Sequence, residues 1–164
     1  MIPFRLLALL LVLTYAPAFA AEPGFAQPRP GLYTAGQPSA EQLGAAAQNG
    51  ITTVIDLRQP DEDRGFDEAA ATRQLGLRYV RLPIAGAAGI TEDNARALQQ
   101  LLAQEKGPVL LHCASGNRVG ALLALLNGRV EGAGIEPALQ LGRRAGLTSL
   151  EPVTRALLER GTAE

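Results

Sequence analysis

Val109-Leu110-Leu111-His112-Cys113-Ala114-Ser115-Gly116-Asn117-Arg118 is the stretch whose reading decides the fold. Three apolar residues and a histidine make a short strand of the kind buried on both faces. Small residues and a glycine follow. Arg118 then opens an apolar run to Asn127, read as a helix with Gly128 as its stop. Strand, tight loop and helix in that order can curl the loop so that the backbone N–H groups of 114–118 converge. Gly116 supplies the positive φ this requires. The helix N-terminus adds partial positive charge, and Arg118 adds a planar fork that fits a tetrahedral oxyanion. Cys113 stands at the floor of this anion cradle, where positive potential favours the nucleophilic thiolate. A cysteine after an apolar strand is by itself core. The joint pattern makes Cys113 the nucleophile, Arg118 its anion clamp, and Ala114, Ser115, Gly116 and Asn117 the binding loop. His112 is the one histidine in the chain. It reads as hydrogen-bonding support for the loop or thiolate, or equally as a satisfied strand-end residue.

Outward from this loop, strands and helices alternate. Leu32 to Ala35 forms a first strand, closed by Gly36-Gln37-Pro38. Ser39 and Gln42 make a capping box for a helix to Asn49, with Gly50 beyond it. Ile51 to Leu57 is a buried strand. Residues 59–65 are an acidic loop, 66–75 a helix, and Leu77 to Leu82 a strand. Residues 84–90 are small and Gly-rich, hence a loop. Thr91 caps a helix to about Glu105, and helices over 135–145 and 150–160 follow, the second capped by Ser149. The expectation is an α/β fold of three layers: a central, mainly parallel sheet of about four strands with helices on both faces. The Cys113 loop then lies at the carboxyl end of a central strand, where such folds place ligands.

The 164-residue length suits one domain. Residues 1–20 read as a secretory signal peptide: Arg5, the apolar run Leu6 to Leu13, then Ala18-Phe19-Ala20 with cleavage after Ala20. Eight apolar residues are too few to span a bilayer, which takes roughly 20. Residues 21–30, with Pro23, Pro28 and Pro30, read as an extended leader, and 31–164 as the domain. The expected location is exported, in the periplasm. Without Arg5, 14 basic residues face 16 acidic ones. That near balance argues against nucleic acid as a partner, and against a membrane once the signal is cut. One cysteine allows no internal disulfide, and an exposed free thiol in an oxidising compartment needs a chemical reason. No cofactor and no metal is expected.

Leu32-Tyr33-Thr34-Ala35-Gly36-Gln37-Pro38, Val54-Ile55-Asp56-Leu57-Arg58, His112 to Arg118, and Gly146-Leu147 together resemble the phosphatase-like domain of the beta-lactamase-hydrolase-like proteins. That family is a branch of the protein tyrosine phosphatase-like superfamily, and the resemblance spans about 31–150. It implies a cysteine-phosphatase-like fold and a Cys/Arg active site on Cys113 and Arg118. Three features depart from the tyrosine phosphatase pattern. Four residues separate Cys113 and Arg118 instead of five, as in rhodaneses. Val119 stands where a hydroxyl residue follows the arginine. The loop Pro83 to Gly89 carries no carboxylate where the general acid is normally found. Asp56 and Arg58 read as a structural pair in support of the site rather than as an acid. Asp61, Glu62 and Asp63 lie on a loop that could fold over the site, although such residues ordinarily form a solvated turn. Three functions stay open. One is phosphomonoester hydrolysis through a Cys113 thiophosphate. Another is sulfur transfer through a Cys113 persulfide. The third is a catalytically weak anion-binding module. The partner is correspondingly a phosphorylated or sulfane-sulfur small molecule or protein.

Overall fold

The computed structural model describes residues 24–160. The expected signal peptide and its cleavage site lie outside these residues. The strands are β1 (Ala26–Arg29), β2 (Leu32–Ala35), β3 (Thr53–Asp56), β4 (Arg78–Arg81) and β5 (Val109–His112), of which β2, β3 and β5 are rich in apolar and β-branched residues. The helices are α1 (Ala40–Gln48), α2 (Glu68–Gln74), α3 (Glu92–Gln104), α4 (Asn117–Leu125), α5 (Ile135–Arg144) and α6 (Glu151–Glu159). The sheet order is β1-β2-β5-β3-β4. β2, β5, β3 and β4 run parallel, with Ala35, His112, Asp56 and Arg81 in register at their carboxyl ends. β5 is therefore central, and the loop it feeds opens at the sheet's carboxyl edge.

Side chains alternate between the two faces of the sheet, as strand geometry requires. Leu32, Ile55, Val109 and Leu111 pack with the apolar faces of α3 to α6. Tyr33, Val54 and Leu110 pack on the other face with Leu43 and Ala46 of α1, and with Ala71 of α2. The three-layer α/β expectation holds. The capping box is present: Ser39 Oγ accepts from Gln42 N at 3.1 Å, and Gln42 Oε1 accepts from Ser39 N at 2.9 Å. Thr91 caps α3 through Asn94 N.

Three expectations change. The sheet has five strands, because part of the segment read as a leader forms β1, antiparallel to β2. Phe25 enters the core beside Tyr33 and so draws this segment onto the fold. The folded unit therefore begins upstream of residue 31. Gly128 does not stop α4; the chain continues into a π-helical turn, Leu126–Val130. A Cβ on Gly128 would meet Leu158 Cδ2 at 2.3 Å, so that side chain packs directly over the glycine. Ser149 does not cap α6, whose N-cap is Leu150. Its hydroxyl accepts from Asn117 Nδ2 at 2.7 Å.

Candidate active site

Strand alternation separates the two residues at the end of β5. Cys113 falls on the face of Leu111, beneath the start of α4, within the larger core cluster. His112 falls on the face of Leu110, toward α2. Gly116, at φ 86°, turns the chain into α4 without a side-chain cap, so the helix N-terminus is left to an anion. Gly116 N donates to Cys113 Sγ at 3.1 Å, which places a hydrogen-bond donor on the sulfur from the loop that was expected to supply it. Ala114 and Ser115 are exposed at the loop's apex, whereas Cys113 is completely buried.

Two neighbouring segments hold the loop's shape. Gln37 N donates to Ala114 O at 3.0 Å, and a Cβ on Gly36 would stand 3.0 Å from that same oxygen. The Gly36-Gln37 pair is thus a close-fitting backbone support for the loop. Gly146, at φ 109°, approaches Gly116 so nearly that a Cβ would lie 3.0 Å from Gly116 O. Asn117 was expected to line the anion cradle. Its side chain turns outward: Oδ1 accepts from Thr148 N at 2.9 Å and from Leu150 N at 3.3 Å. Its contribution is to tie the start of α4 to the α5–α6 connection. Val119 is buried in the core.

Arg118 reaches back over the loop. Nη1 donates to Ile84 O at 3.0 Å, and both terminal nitrogens pair with Glu62, Nη1 to Oε1 at 2.5 Å and Nη2 to Oε2 at 2.6 Å. The Glu62 hydrogen bond raises the guanidinium above its ordinary pKa; partial burial opposes this, and the charge of the Cys113 sulfur adds to the rise. Glu62 is correspondingly lowered, mainly by Arg118. The acidic loop therefore divides. Asp61 and Asp63 are exposed, as a solvated turn demands, but Glu62 folds onto the clamp.

On the opposite face lies a buried polar cluster. Arg58 Nε donates to Asp56 Oδ1 and Nη2 to Asp56 Oδ2, both at 2.9 Å, and Nη2 also donates to Glu68. Asp56, Arg58, Glu68 and His112 are all fully buried. Tyr79 donates to Asp56 Oδ2 at 2.6 Å. Burial alone would raise the Asp56 carboxyl. Hydrogen bonds from Arg58 and Tyr79, with His112 near, hold it well below the usual carboxylate range. His112 Nε2 lies 2.9 Å from Glu68 Oε1, and Nδ1 lies 3.4 Å from Cys113 O. The imidazole thus lies between the cluster and the nucleophile's backbone. Asp56, Glu68 and His112 offer ligand atoms within 4.8 Å of one another. Arg58 already supplies the positive charge between the two carboxylates. The Asp56–Arg58 pairing expected from sequence is present. Glu68 and Tyr79 were not singled out, because a carboxylate on a helix and a tyrosine on an edge strand carry no local signal of a shared partner.

A mostly parallel sheet with a Cys-loop-Arg motif at the carboxyl end of its central strand, opening an uncapped helix, defines a phosphatase-like α/β protein. Residues 26–145 match the family described as DSP-PTPase phosphatase fused to NAD+ kinase, and the chain belongs to that family within the protein tyrosine phosphatase superfamily. Beta-lactamase hydrolase-like protein from Xylella fastidiosa is 36% identical over 124 residues, covering 68% of this chain and 28% of that protein. Dual specificity protein phosphatase TpbA from Pseudomonas aeruginosa is 31% identical over 119 residues, covering 71% of this chain and 52% of that protein. The chain thus spans between about a quarter and a half of the length of these curated relatives. The crystal structure of P. aeruginosa TpbA in complex with pTyr superposes with a TM-score of 0.62 at 24% identity, covering 85% of this chain and 91% of that one. The fold is shared at that distance, and phosphatase relatives make this a phosphatase-family chain.

Proposed function

We propose that the chain hydrolyses phosphomonoesters through a thiophosphate on Cys113, with aryl phosphates as the substrate class. The observation that carries this is the sulfur itself: Cys113 Sγ accepts a loop amide at 3.1 Å beneath the Arg118 fork. The sulfur attacks phosphorus and the ester P–O bond breaks. Arg118 and the loop amides stabilise the equatorial oxygens as charge builds on them. Water then cleaves the P–S bond and releases inorganic phosphate. TpbA has been crystallised with pTyr, which supports an aryl ester as the first substrate to try. The phosphatase relatives lend sulfur transfer no support, and its basis remains the four-residue spacing between Cys113 and Arg118. Export is part of the proposal and rests on residues 1–20.

The test is an assay of the chain from Ala21 on an aryl phosphate, beside thiosulfate plus cyanide. Cys113→Ser should abolish phosphate release. Arg118→Lys should lower kcat/KM by about 10²–10³-fold, because a point charge replaces the two-contact fork. Phosphate release that survives Cys113→Ser, or thiocyanate formation without phosphate release, would overturn the reading.

A further inference from the structure

The proposed hydrolysis leaves a proton unaccounted for. An alkoxide or phenolate departs slowly unless an acid protonates it, and Pro83 to Gly89 holds no carboxylate. Val119 has no proton to donate. Asp56 and Glu68 sit on the other face of the sheet, locked to Arg58. Among the described residues, the carboxylate in contact with the anion clamp is Glu62.

We infer that Glu62 is the proton donor, held on Arg118 until a phosphoryl group takes its place. This deepens the phosphatase reading and rests on it. Two observations carry it. First, Glu62 sits on a built loop rather than a solvated turn. Arg64 donates to Pro60 O, Glu62 O and Gln59 O at 3.0, 3.0 and 2.8 Å. Gln37 Nε2 donates to Arg64 O at 2.7 Å. These bonds fix the backbone of residue 62 at the mouth, and Gln59 N donates to Glu62 Oε1 at 2.7 Å, so leaving Arg118 also costs the carboxylate this bond within its own loop. Second, the Glu62 carboxylate occupies both terminal nitrogens of Arg118, and a phosphoryl group needs that same fork for two of its oxygens. Substrate binding and the Glu62–Arg118 pair therefore exclude each other.

The exchange changes the chemistry of Glu62. On Arg118 it is ionised. Displaced, it loses its cation and faces the substrate dianion, with the Asp56 charge behind it and Arg64 bound to its loop. Like charge favours the protonated form. The carboxyl takes a proton from solvent as it comes beside the leaving oxygen. The S–P bond forms and the ester P–O bond breaks, and the Glu62 proton passes to the leaving oxygen. The carboxylate then accepts a proton from the attacking water. The P–S bond breaks, the Cys113 thiolate is restored, and Glu62 releases that proton to solvent as it returns to Arg118 and phosphate leaves.

The experiment compares wild type and Glu62→Gln on phenyl phosphate and 4-nitrophenyl phosphate across pH. The variant should lose about 10²–10³-fold in kcat on phenyl phosphate, and less than about tenfold on 4-nitrophenyl phosphate, whose leaving oxygen needs little protonation. The alkaline limb of the wild-type kcat profile should vanish in the variant. Inorganic phosphate should inhibit the variant more tightly, since the internal competitor is gone. Tighter inhibition with equal rate changes on both esters would make Glu62 a plug only, and overturn the assignment. If wild type releases phosphate from neither ester and Cys113 takes up no phosphoryl label, the phosphatase reading fails and this inference falls with it.

Discussion

Tyr79 shows what a single hydroxyl does for a buried charge network. Burial first, then its bond to Asp56, push the phenol up to about 12. An unfolded tyrosine titrates near about 10. The folded protein therefore holds this proton more tightly. The stability it confers is complete below about pH 10 and is lost as pH rises toward about 12. Tyr79→Phe removes the titration. Its urea midpoint should start lower near neutrality, where Asp56 has lost a donor, and should fall less than wild type across that alkaline window. Parallel losses in the two proteins would show that other groups govern it. Asp56 works in the opposite direction: its depressed carboxyl gives stability above the ordinary carboxylate range that is lost on acidification. At this scale the sequence was legible where chemistry is local. Cys113, Gly116 and Arg118 could be read because they share one short motif, and the Asp56–Arg58 pair because its members lie two residues apart. Glu68 could not, since its neighbours Arg58 and His112 lie on other elements, and Glu62 stood out only as part of a loop able to close over the site, because its partner Arg118 is 56 residues away in sequence.

At the level of elements, α4 carries the start of the active site and crosses α5 nearly backbone to backbone. A Cβ on Gly120 would stand 2.1 Å from Leu147 N and 2.5 Å from Gly142 O. Neither neighbour is a flexible side chain, so the helix itself must move. Gly120→Ala should destabilise at or above the upper end of the about 1–3 kcal/mol typical of overpacked cores. The shift would also tilt the first turn of α4, which holds Arg118, so kcat should fall with the urea midpoint. An unchanged midpoint would mean that α4 and α5 separate without cost. Glycine is where the reading of elements from sequence failed. In the sequence Gly128 reads as a helix stop, the ordinary meaning of glycine after an apolar helix. In the fold it lies inside the π-helical turn under Leu158, and no pattern within α4 encodes a neighbour some thirty residues on. Strands and capped helices were legible, because alternation and caps are written in adjacent residues.

For the whole molecule, the length, the alternation of strands and helices and the resemblance sufficed to anticipate a three-layer α/β fold. The edge strand β1 was not anticipated, because a segment rich in proline and poor in large apolar groups looks like a tether until Phe25 is seen in the core. Its position bears on export. Cleavage after Ala20 would leave β1 intact, with five residues to spare. Exported protein should therefore begin at or near Ala21, as measured by intact mass. A retained Met1 would end the export proposal, and a start beyond Ala26 would show that β1 is dispensable to the secreted form. The two ends of the sheet have a further consequence. A sheet's outer strands normally present unpaired amide and carbonyl groups that another chain can extend into a fibril. β1 is interrupted by Pro28 and an irregular register. β4 is four residues long and turns Arg78 and Arg81 to solvent. Each edge is short, broken or charged, and so is a poor template for a neighbouring strand, although the inner strands between them are fully buried along most of their length.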